Sequence, residues 1–452
     1  MHAAVHAAAA SLRNSMSKTA LPRAADIVIV GGGIIGTAIA SSLAALPSAG
    51  SVVVIEKATI SAGASWHAAG LLNQLRGSKL YTRCYSETAS EYAAIEKRTG
   101  AATGWCASGS IRVASNDRRM AELVADCERS NDYGVAAELI SPTEIKRLAP
   151  MVETGDLIGG MYVPSDGLCS PADCCTALAR SARQRDATIV EGVTVTGVAL
   201  AEPAADGRGR RRVATTLETS AGRIACGIVV NAAGLWARDF SELAGGTNLM
   251  TTNLEHQYLV TEAVEELAQA GAMPTLRDPC RTLYFKLEPG GKMVVGGWEP
   301  HTRPALGSGT LPPVFESELF EGNYDRFEQH AVNAIDRMPC LASAGAQTLV
   351  HGPIPVSLDG NPLIGWDGKV ENMYVAAGFT AGIGAAVGVA NLSSRMITEG
   401  RAAPASDLVS DALEEQELAL LDPTRFGATG AAMSELNAAA IKVYGTYYSL
   451  KE

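Results

Sequence analysis

Three glycines and one acidic residue near the start of the chain have the types and spacing of a dinucleotide-binding site. Gly31, Gly33 and Gly36 follow an apolar run rich in β-branched residues, and a second such run ends in Glu56. In this pattern the first glycine permits a tight turn, the second lets the backbone approach a pyrophosphate, and the third lets a helix pack closely on a strand. The helix N-terminus faces the phosphates and the acid accepts hydrogen bonds from a ribose. Because both flanking strands are present, we favour a dinucleotide site over a structural turn.

A histidine and two tyrosines in the middle of the chain could handle a proton. His256 and Tyr258 alternate along one predicted strand, so their side chains point to the same face, and Tyr284 lies on another predicted strand of that sheet. An imidazole there could accept a proton, and phenols could orient a bound ligand. The same spacing also fits side chains on a half-buried sheet surface, and the residues alone favour that interpretation.

The elements that would position these residues can be predicted in part. Ser-Pro-x-acid sequences at 141–144 and 170–173 are typical helix starts. Strands are predicted over 187–198, 213–217 and 223–230, with an Arg- and Gly-rich hairpin turn over 205–212. Between 254 and 295 the pattern becomes alternating and aromatic, which favours an antiparallel sheet.

A second Gly-rich turn follows a predicted strand near the end of the chain. It runs from Gly378 to Gly384, and a helix of small residues follows it. A second helix N-terminus facing the same ligand suits a flavin better than a nicotinamide, because it would stabilise negative charge near N1 and the C2 carbonyl of the reduced ring.

Composition excludes several classes of function. The 452 residues predict at least two domains, and 47% hydrophobic residues with 46 glycines are typical of a globular α/β protein. The net charge of −11 argues against nucleic acid and anionic membrane surfaces, and no apolar run reaches membrane-spanning length. Nine cysteines without Cys-x-x-Cys spacing predict reduced, mostly buried thiols and no metal site.

The first 25 residues are basic and contain no acid. This composition favours a mitochondrial transit segment, and hence the matrix, over a disordered tail on a cytoplasmic protein.

Together these segments resemble the D-amino-acid-oxidase-like FAD-dependent oxidoreductases, in particular the dimethylglycine and sarcosine dehydrogenase subfamily. The most specific match is the Trp-His-x-Ala-Gly-Leu motif at 66–71, and further matches lie at 166–167, 231–236, 255–258, 277–285 and 359–365. The resemblance implies an α/β chain with a discontinuous FAD-binding Rossmann-type (glutathione-reductase-like) domain and an α+β antiparallel-sheet substrate domain. The implied boundaries are 26–75, 160–245 and 350–410 for the FAD domain, 76–159 and 246–349 for the substrate domain, and 411–452 for a C-terminal extension.

The resemblance also implies a site. His67 would carry FAD covalently through the flavin 8α-methyl, although a histidine that only packs against the ring is the alternative. His256 is the implied proton acceptor, with Tyr284 next and Tyr258 beside it. The implied FAD-binding residues are Gly31, Gly33, Ile34, Ile35, Gly36, Glu56, Lys57, Gly63, Ser65, Trp66, His67, Gly70, Leu71, Val195, Ala233, Gly234, Trp236, Gly378, Phe379, Gly382 and Ile383.

The implied activity is oxidative demethylation of an N-methyl amino acid, with electrons passing to electron-transferring flavoprotein or to oxygen. Oxidation of another amine or cyclic amino acid, and a regulatory relative without turnover, are the alternatives. Two departures bear on the substrate. Ile354 and Leu358 make the predicted loop at 352–359 more apolar than in the subfamily, and the chain is expected to lack the folate-binding domain of longer members.

Overall fold

A computed structural model describes residues 19–203, 211–402, 404–427 and 432–447. Most of the predicted transit segment and of the predicted turn at 205–212 lies outside these residues. Within them the strands are β1 (Ala24–Val30), β2 (Val52–Glu56), β3 (Leu71–Leu72), β4 (Ser110–Ala114), β5 (Glu138–Ile140), β6 (Gly159–Val163), β7 (Gly167–Leu168), β8 (Thr188–Glu191), β9 (Val195–Ala201), β10 (Val213–Thr219), β11 (Gly222–Asn231), β12 (Thr251–Thr261), β13 (Thr275–Asp278), β14 (Leu283–Glu288), β15 (Lys292–Gly296), β16 (Ala346–Ser357), β17 (Leu363–Trp366) and β18 (Met373–Ala377).

The helices of the same residues include both predicted Ser-Pro starts. They are α1 (Ile34–Leu43), α2 (Lys79–Thr99), α3 (Asp117–Asp132), α4 (Pro142–Leu148), α5 (Pro171–Arg183), α6 (Ala237–Leu243), α7 (Glu265–Gln269), α8 (Tyr324–Arg337), α9 (Gly382–Glu399), α10 (Ala412–Ala419) and α11 (Met433–Gly445). Ser141 caps α4 by accepting a hydrogen bond from the N–H of Glu144, whereas Ser170 makes no such bond at α5.

The first sheet is the dinucleotide-binding layer, and its core strands are parallel. Its order is β17-β18-β11-β1-β2-β8, with β10 and β9 added to β11 as an antiparallel meander. Every residue of β2 and of β18 is buried, because apolar clusters cover both faces. The strand predicted over 187–198 is two strands, since Gly192 takes a φ of +71° and turns the chain between β8 and β9.

The second sheet has the order β16-β12-β15-β14-β13-β4-β6-β5. Its pairs are antiparallel as expected, except that β4 and β13 run parallel. Strands β6 and β16 pair only with strands of this sheet. The domain boundaries predicted at 160 and 350 would instead place most of both strands in the FAD-binding domain. The α/β class with a Rossmann-type layer and a separate sheet layer is confirmed.

The segment predicted as a loop at 352–359 is mostly strand. Residues 352–357 belong to β16, which pairs with β12 so that Gly352 lies opposite His256. The two prolines at 353 and 355 lower strand propensity, which is why the sequence suggests a loop. They are tolerated because β16 is the edge strand of its sheet, where a missing N–H breaks no ladder.

The described part of the C-terminal extension packs on both layers. Helix α10 contacts α2, where Arg83 Nε lies 3.1 Å from a carboxylate oxygen of Glu414. Helix α11 packs on β12 and buries Tyr444 completely. No described helix is long and apolar enough to cross a bilayer.

Fewer than half of the cysteines are fully buried. All nine cysteines are free thiols; four are buried, whereas Cys106 and Cys280 are exposed, so the expectation that most are buried is wrong. The described residues contain no cluster of three potential metal ligands.

Candidate active site

A single cavity of about 490 Å³ receives side chains from both sheets. It brings together the three residues predicted to act on substrate, His256, Tyr258 and Tyr284, with all but two of the predicted cofactor-binding residues. Those lining the cavity are Gly31, Gly33, Ile34, Ile35, Glu56, Lys57, Gly63, Ser65, His67, Gly70, Leu71, Val195, Ala233, Gly234, Trp236, Gly378, Phe379, Gly382 and Ile383.

The two remaining predicted residues, Gly36 and Trp66, do not line the cavity. A Cβ at Gly36 would come within 1.9 Å of the Gly31 carbonyl oxygen, so this glycine permits close packing of α1 on the β1 turn. The Trp66 ring lies edge-on to the His67 imidazole, with centroids 5.5 Å apart. Both residues shape the wall and neither lines it.

The Gly-rich end of the cavity has the form of a cradle for phosphates. Gly31 has a φ of +113°, and a Cβ there would meet the Ala232 carbonyl oxygen at 2.3 Å. Helix α1 starts beyond Gly33, and the hydroxyl of Ser65 accepts a hydrogen bond from the N–H of Ile34 at 3.0 Å. A close backbone turn at a helix N-terminus suits a pyrophosphate, and the residues therefore fit a dinucleotide cofactor.

Glu56 is held at the end of β2 by backbone donors. Its carboxylate accepts hydrogen bonds from the N–H groups of Gly32, at 2.6 Å, and Ala58, at 2.8 Å. Burial raises the pKa of this carboxyl even though the two backbone donors oppose the shift. Each carboxylate oxygen has a second lone pair, so the group can also accept from a ribose hydroxyl.

Lys57 and Trp236 form a second contact at the same end of the cavity. The Lys57 ammonium lies 3.1 Å from the centre of the Trp236 ring and donates to the Pro313 carbonyl oxygen at 2.6 Å. Burial lowers the pKa of Lys57 to about 8. The cation is fixed by the indole and a carbonyl, so it can contact only a ligand that reaches this wall.

His67 lies farther along the cavity and is buried. Burial lowers its pKa to about 4, so the imidazole is neutral at physiological pH. The ring packs on Gly352 of β16, where a Cβ would come within 2.8 Å of Cε1. A neutral imidazole nitrogen is a competent nucleophile, so His67 could attach a cofactor covalently. The same position would also suit a histidine that only packs against the cofactor ring.

His256 lies between two phenols. Its Nε2 is 3.0 Å from the Tyr284 hydroxyl, and its Nδ1 is 2.5 Å from the hydroxyl of Tyr444 in α11. Burial, together with three neighbouring histidines and an arginine, lowers its pKa to about 3. The pKa of His256 therefore lies well below that of an ordinary histidine, and the imidazole is neutral at physiological pH. Its role as the acceptor of the substrate proton stays a prediction.

Tyr258 faces the cavity beside His256, as the alternation along β12 predicts, but its hydroxyl is engaged. It donates to the backbone carbonyl of His67 at 3.0 Å. Tyr284 reaches His256 across the intervening strand β15 because Gly296 lies between them; a Cβ there would come within 2.3 Å of the Tyr284 hydroxyl.

Two arginines that were not assigned from the sequence also line the cavity. Arg277 lies on β13 opposite Tyr284, and Arg76 lies over the ring of Tyr85 at 4.9 Å. Both interact electrostatically with the buried carboxylate of Asp166. Arg277 lies in a segment that carries the family resemblance, and that resemblance could have identified it as a site residue. No sequence signal pointed to Arg76, which follows the Trp-His motif, or to Tyr444.

Known proteins match most of the chain. A family model described as "FAD dependent oxidoreductase" matches residues 26–396. The mitochondrial sarcosine dehydrogenase of Mus musculus is 34% identical over 90% of this chain and 43% of its own length. The mitochondrial dimethylglycine dehydrogenase of Rattus norvegicus is 32% identical over 89% of this chain and 45% of its own. The chain thus spans less than half of each relative.

The fold also has solved counterparts. The crystal structure of L-proline dehydrogenase from P. horikoshii aligns with a TM-score of 0.76 at 23% identity, covering 90% of this chain and 98% of that one. At this identity the match concerns the fold alone.

Proposed function

Because the chain belongs to the family of FAD-dependent oxidoreductases, we propose that it oxidises an N-methyl amino acid such as dimethylglycine or sarcosine. Bound FAD would supply the acceptor for a hydride from the carbon next to nitrogen. Water then hydrolyses the iminium product and releases formaldehyde. The two relatives whose names include sarcosine and dimethylglycine support this substrate class.

The observation that carries the proposal is the pairing of two kinds of side chain in one cavity. Arg76 and Arg277 supply guanidinium groups, which suit a carboxylate, and Tyr284 with His256 supplies a neutral hydrogen-bonding pair, which suits an amine. An amino acid carries both groups. Ile354 lines the cavity too, so an apolar N-methyl group has a matching contact.

Cofactor attachment is proposed at His67. The imidazole lines the cavity, burial keeps it neutral, and Tyr258 holds its backbone. A neutral nitrogen can add to the electrophilic methide form of the 8α-methyl, and such a link should raise the reduction potential. The dinucleotide part would bind at Glu56 and the Gly31–Gly36 turn.

Anaerobic mixing with a panel of substrates tests the activity. Sarcosine or dimethylglycine should bleach the bound flavin and release stoichiometric formaldehyde, whereas dimethylamine, which lacks the carboxylate, should do so weakly. Bleaching by proline but by no N-methyl amino acid would favour the cyclic-amino-acid alternative. If dithionite bleaches the flavin but no N-methyl or cyclic amino acid does, the two alternatives left are another amine substrate and a regulatory relative without turnover.

We also propose the mitochondrial matrix as the location and electron-transferring flavoprotein as the acceptor. The basic, acid-free N-terminal segment and the two mitochondrial relatives support the location. A fluorescent fusion of residues 1–25 should enter mitochondria; a cytoplasmic signal would contradict it. Reduced enzyme should pass electrons to the flavoprotein faster than to oxygen, and the reverse order would identify an oxidase.

A further inference from the structure

We propose that Tyr444 is a positioning residue that fixes which nitrogen of His256 carries the proton, and thereby which way the Tyr284 hydroxyl points. The inference rests on the proposed amine oxidation. It assigns a role in the site to helix α11, which lies beyond the residues matched by the family model.

The contacts place Tyr444 where it can have this effect. Its hydroxyl lies 2.5 Å from Nδ1 of His256, its ring packs edge-on against Trp298 at 4.9 Å, and the side chain is fully buried. His256 also packs on Trp298, at 5.2 Å. The imidazole is thus held on three sides, by Tyr284, Trp298 and Tyr444, and cannot turn to exchange its nitrogens without breaking these contacts.

The neutral imidazole has one donor and one acceptor nitrogen, so the two phenols must play opposite roles. If Nδ1–H donates to Tyr444, then Nε2 accepts the proton of Tyr284, and the lone pair of Tyr284 is directed to the cavity. That lone pair can accept a hydrogen bond from the N–H of neutral sarcosine. Neutral dimethylglycine has no N–H, and there the same orientation leaves the nitrogen lone pair without a competing donor.

The other tautomer would work against the reaction. With the proton on Nε2, that nitrogen donates to Tyr284, whose own O–H is then free to point at the amine nitrogen. A donor on the nitrogen lone pair opposes iminium formation, because the same electron pair must form the new C=N bond as hydride leaves. We therefore assign the Nδ1–H tautomer, maintained by Tyr444.

The variant Tyr444→Phe removes the hydroxyl and keeps the ring against Trp298. In the FAD-loaded protein, the limiting rate of flavin reduction should fall by about tenfold, the effect of losing one positioned hydrogen bond. The dissociation constant of the substrate should change less than twofold, because the arginines are untouched. Tyr374→Phe is the matched control: Tyr374 is buried, its hydroxyl donates to the sulfur of Met396 at 3.2 Å, and it lies outside the cavity lining. Its rate should equal that of wild type.

A second measurement needs no variant of Tyr444. Nitrogen-15 spectra of histidine-labelled holoprotein, with His256 assigned by its loss in His256→Gln, should show a protonated Nδ1 and an unprotonated Nε2. The opposite tautomer, or a Tyr444→Phe rate equal to wild type, would overturn the inference. Failure of every N-methyl amino acid to bleach wild-type flavin would instead refute the proposed function, and the spectra would still decide the tautomer.

Discussion

The hydroxyl of Tyr258 donates a hydrogen bond to the backbone carbonyl of His67 over 3.0 Å. The strand that presents His256 to the cavity therefore also fixes the backbone of the histidine proposed to carry the cofactor. Tyr258, which was predicted from the sequence to contact the substrate, thus holds the backbone at position 67.

We expect Tyr258→Phe to affect the cofactor more than the substrate. The ring stays in place, but the buried His67 carbonyl loses its donor, which should lower the free energy of unfolding by about 1 kcal/mol. The fraction of covalently bound flavin should fall. The substrate dissociation constant should change by less than about twofold, which is a smaller change than the loss of one neutral hydrogen bond to the substrate would cause. Tyr324→Phe, at an exposed position on α8, should match wild type in both measurements. A wild-type content of covalent flavin in Tyr258→Phe would contradict this role.

Replacement of His67 tests the covalent link directly. Acid-precipitated wild-type protein should remain yellow, and a tryptic peptide containing His67 should carry the mass of FAD. His67→Ala should still bind FAD through the Gly31–Gly36 turn and Glu56, but the flavin should be extracted by acid. A colourless wild-type precipitate would refute the link and leave the fold untouched.

His256→Ala should slow flavin reduction by a factor of about 10², because it removes the hydrogen-bond partner of both Tyr284 and Tyr444 and each positioned hydrogen bond is worth about tenfold. It should leave the pH dependence between about pH 6 and 9 unchanged. The reason is that the pKa of His256 is lowered from 6.5 to about 3, so the wild-type imidazole is already neutral throughout this range. Stopped-flow rates across pH give the answer. A step near pH 6.5 in wild type that disappears in the variant would show that the imidazole titrates during the reaction.

Removing a guanidinium should weaken substrate binding by the worth of one charge-assisted hydrogen bond. For Arg277→Gln and for Arg76→Gln we expect the dissociation constant of an N-methyl amino acid to rise by about 10- to 100-fold. Dimethylamine has no carboxylate and provides the control, since its reduction rate should be equal in both variants and in wild type. Equal losses with both compounds would show that the arginines act on the fold.

The sequence predicted the features that depend on local patterns. The Gly31–Gly36 turn and Glu56 are held within one strand–helix–strand unit, so spacing alone was sufficient. By contrast, the contact of Tyr444 with His256 joins residues 188 positions apart, and no local signal encodes it.

Two further features depend on tertiary context. The pKa of His256 is set by burial among other elements, and an isolated strand pattern gives no measure of it. Pro353 and Pro355 favour a loop prediction, because prolines fit a strand only at a sheet edge and the sequence does not show that β16 lies there.

Gly296 makes two positions of the chain genetically interdependent. Any side chain there would occupy the space taken by the Tyr284 ring, whose Cζ would lie 2.3 Å from an added Cβ. Substitution at 296 therefore removes Tyr284 from its place against His256 even when position 284 is unchanged. A loss of activity on substitution at 296 therefore reports on the placement of Tyr284 and not on a function of residue 296 itself.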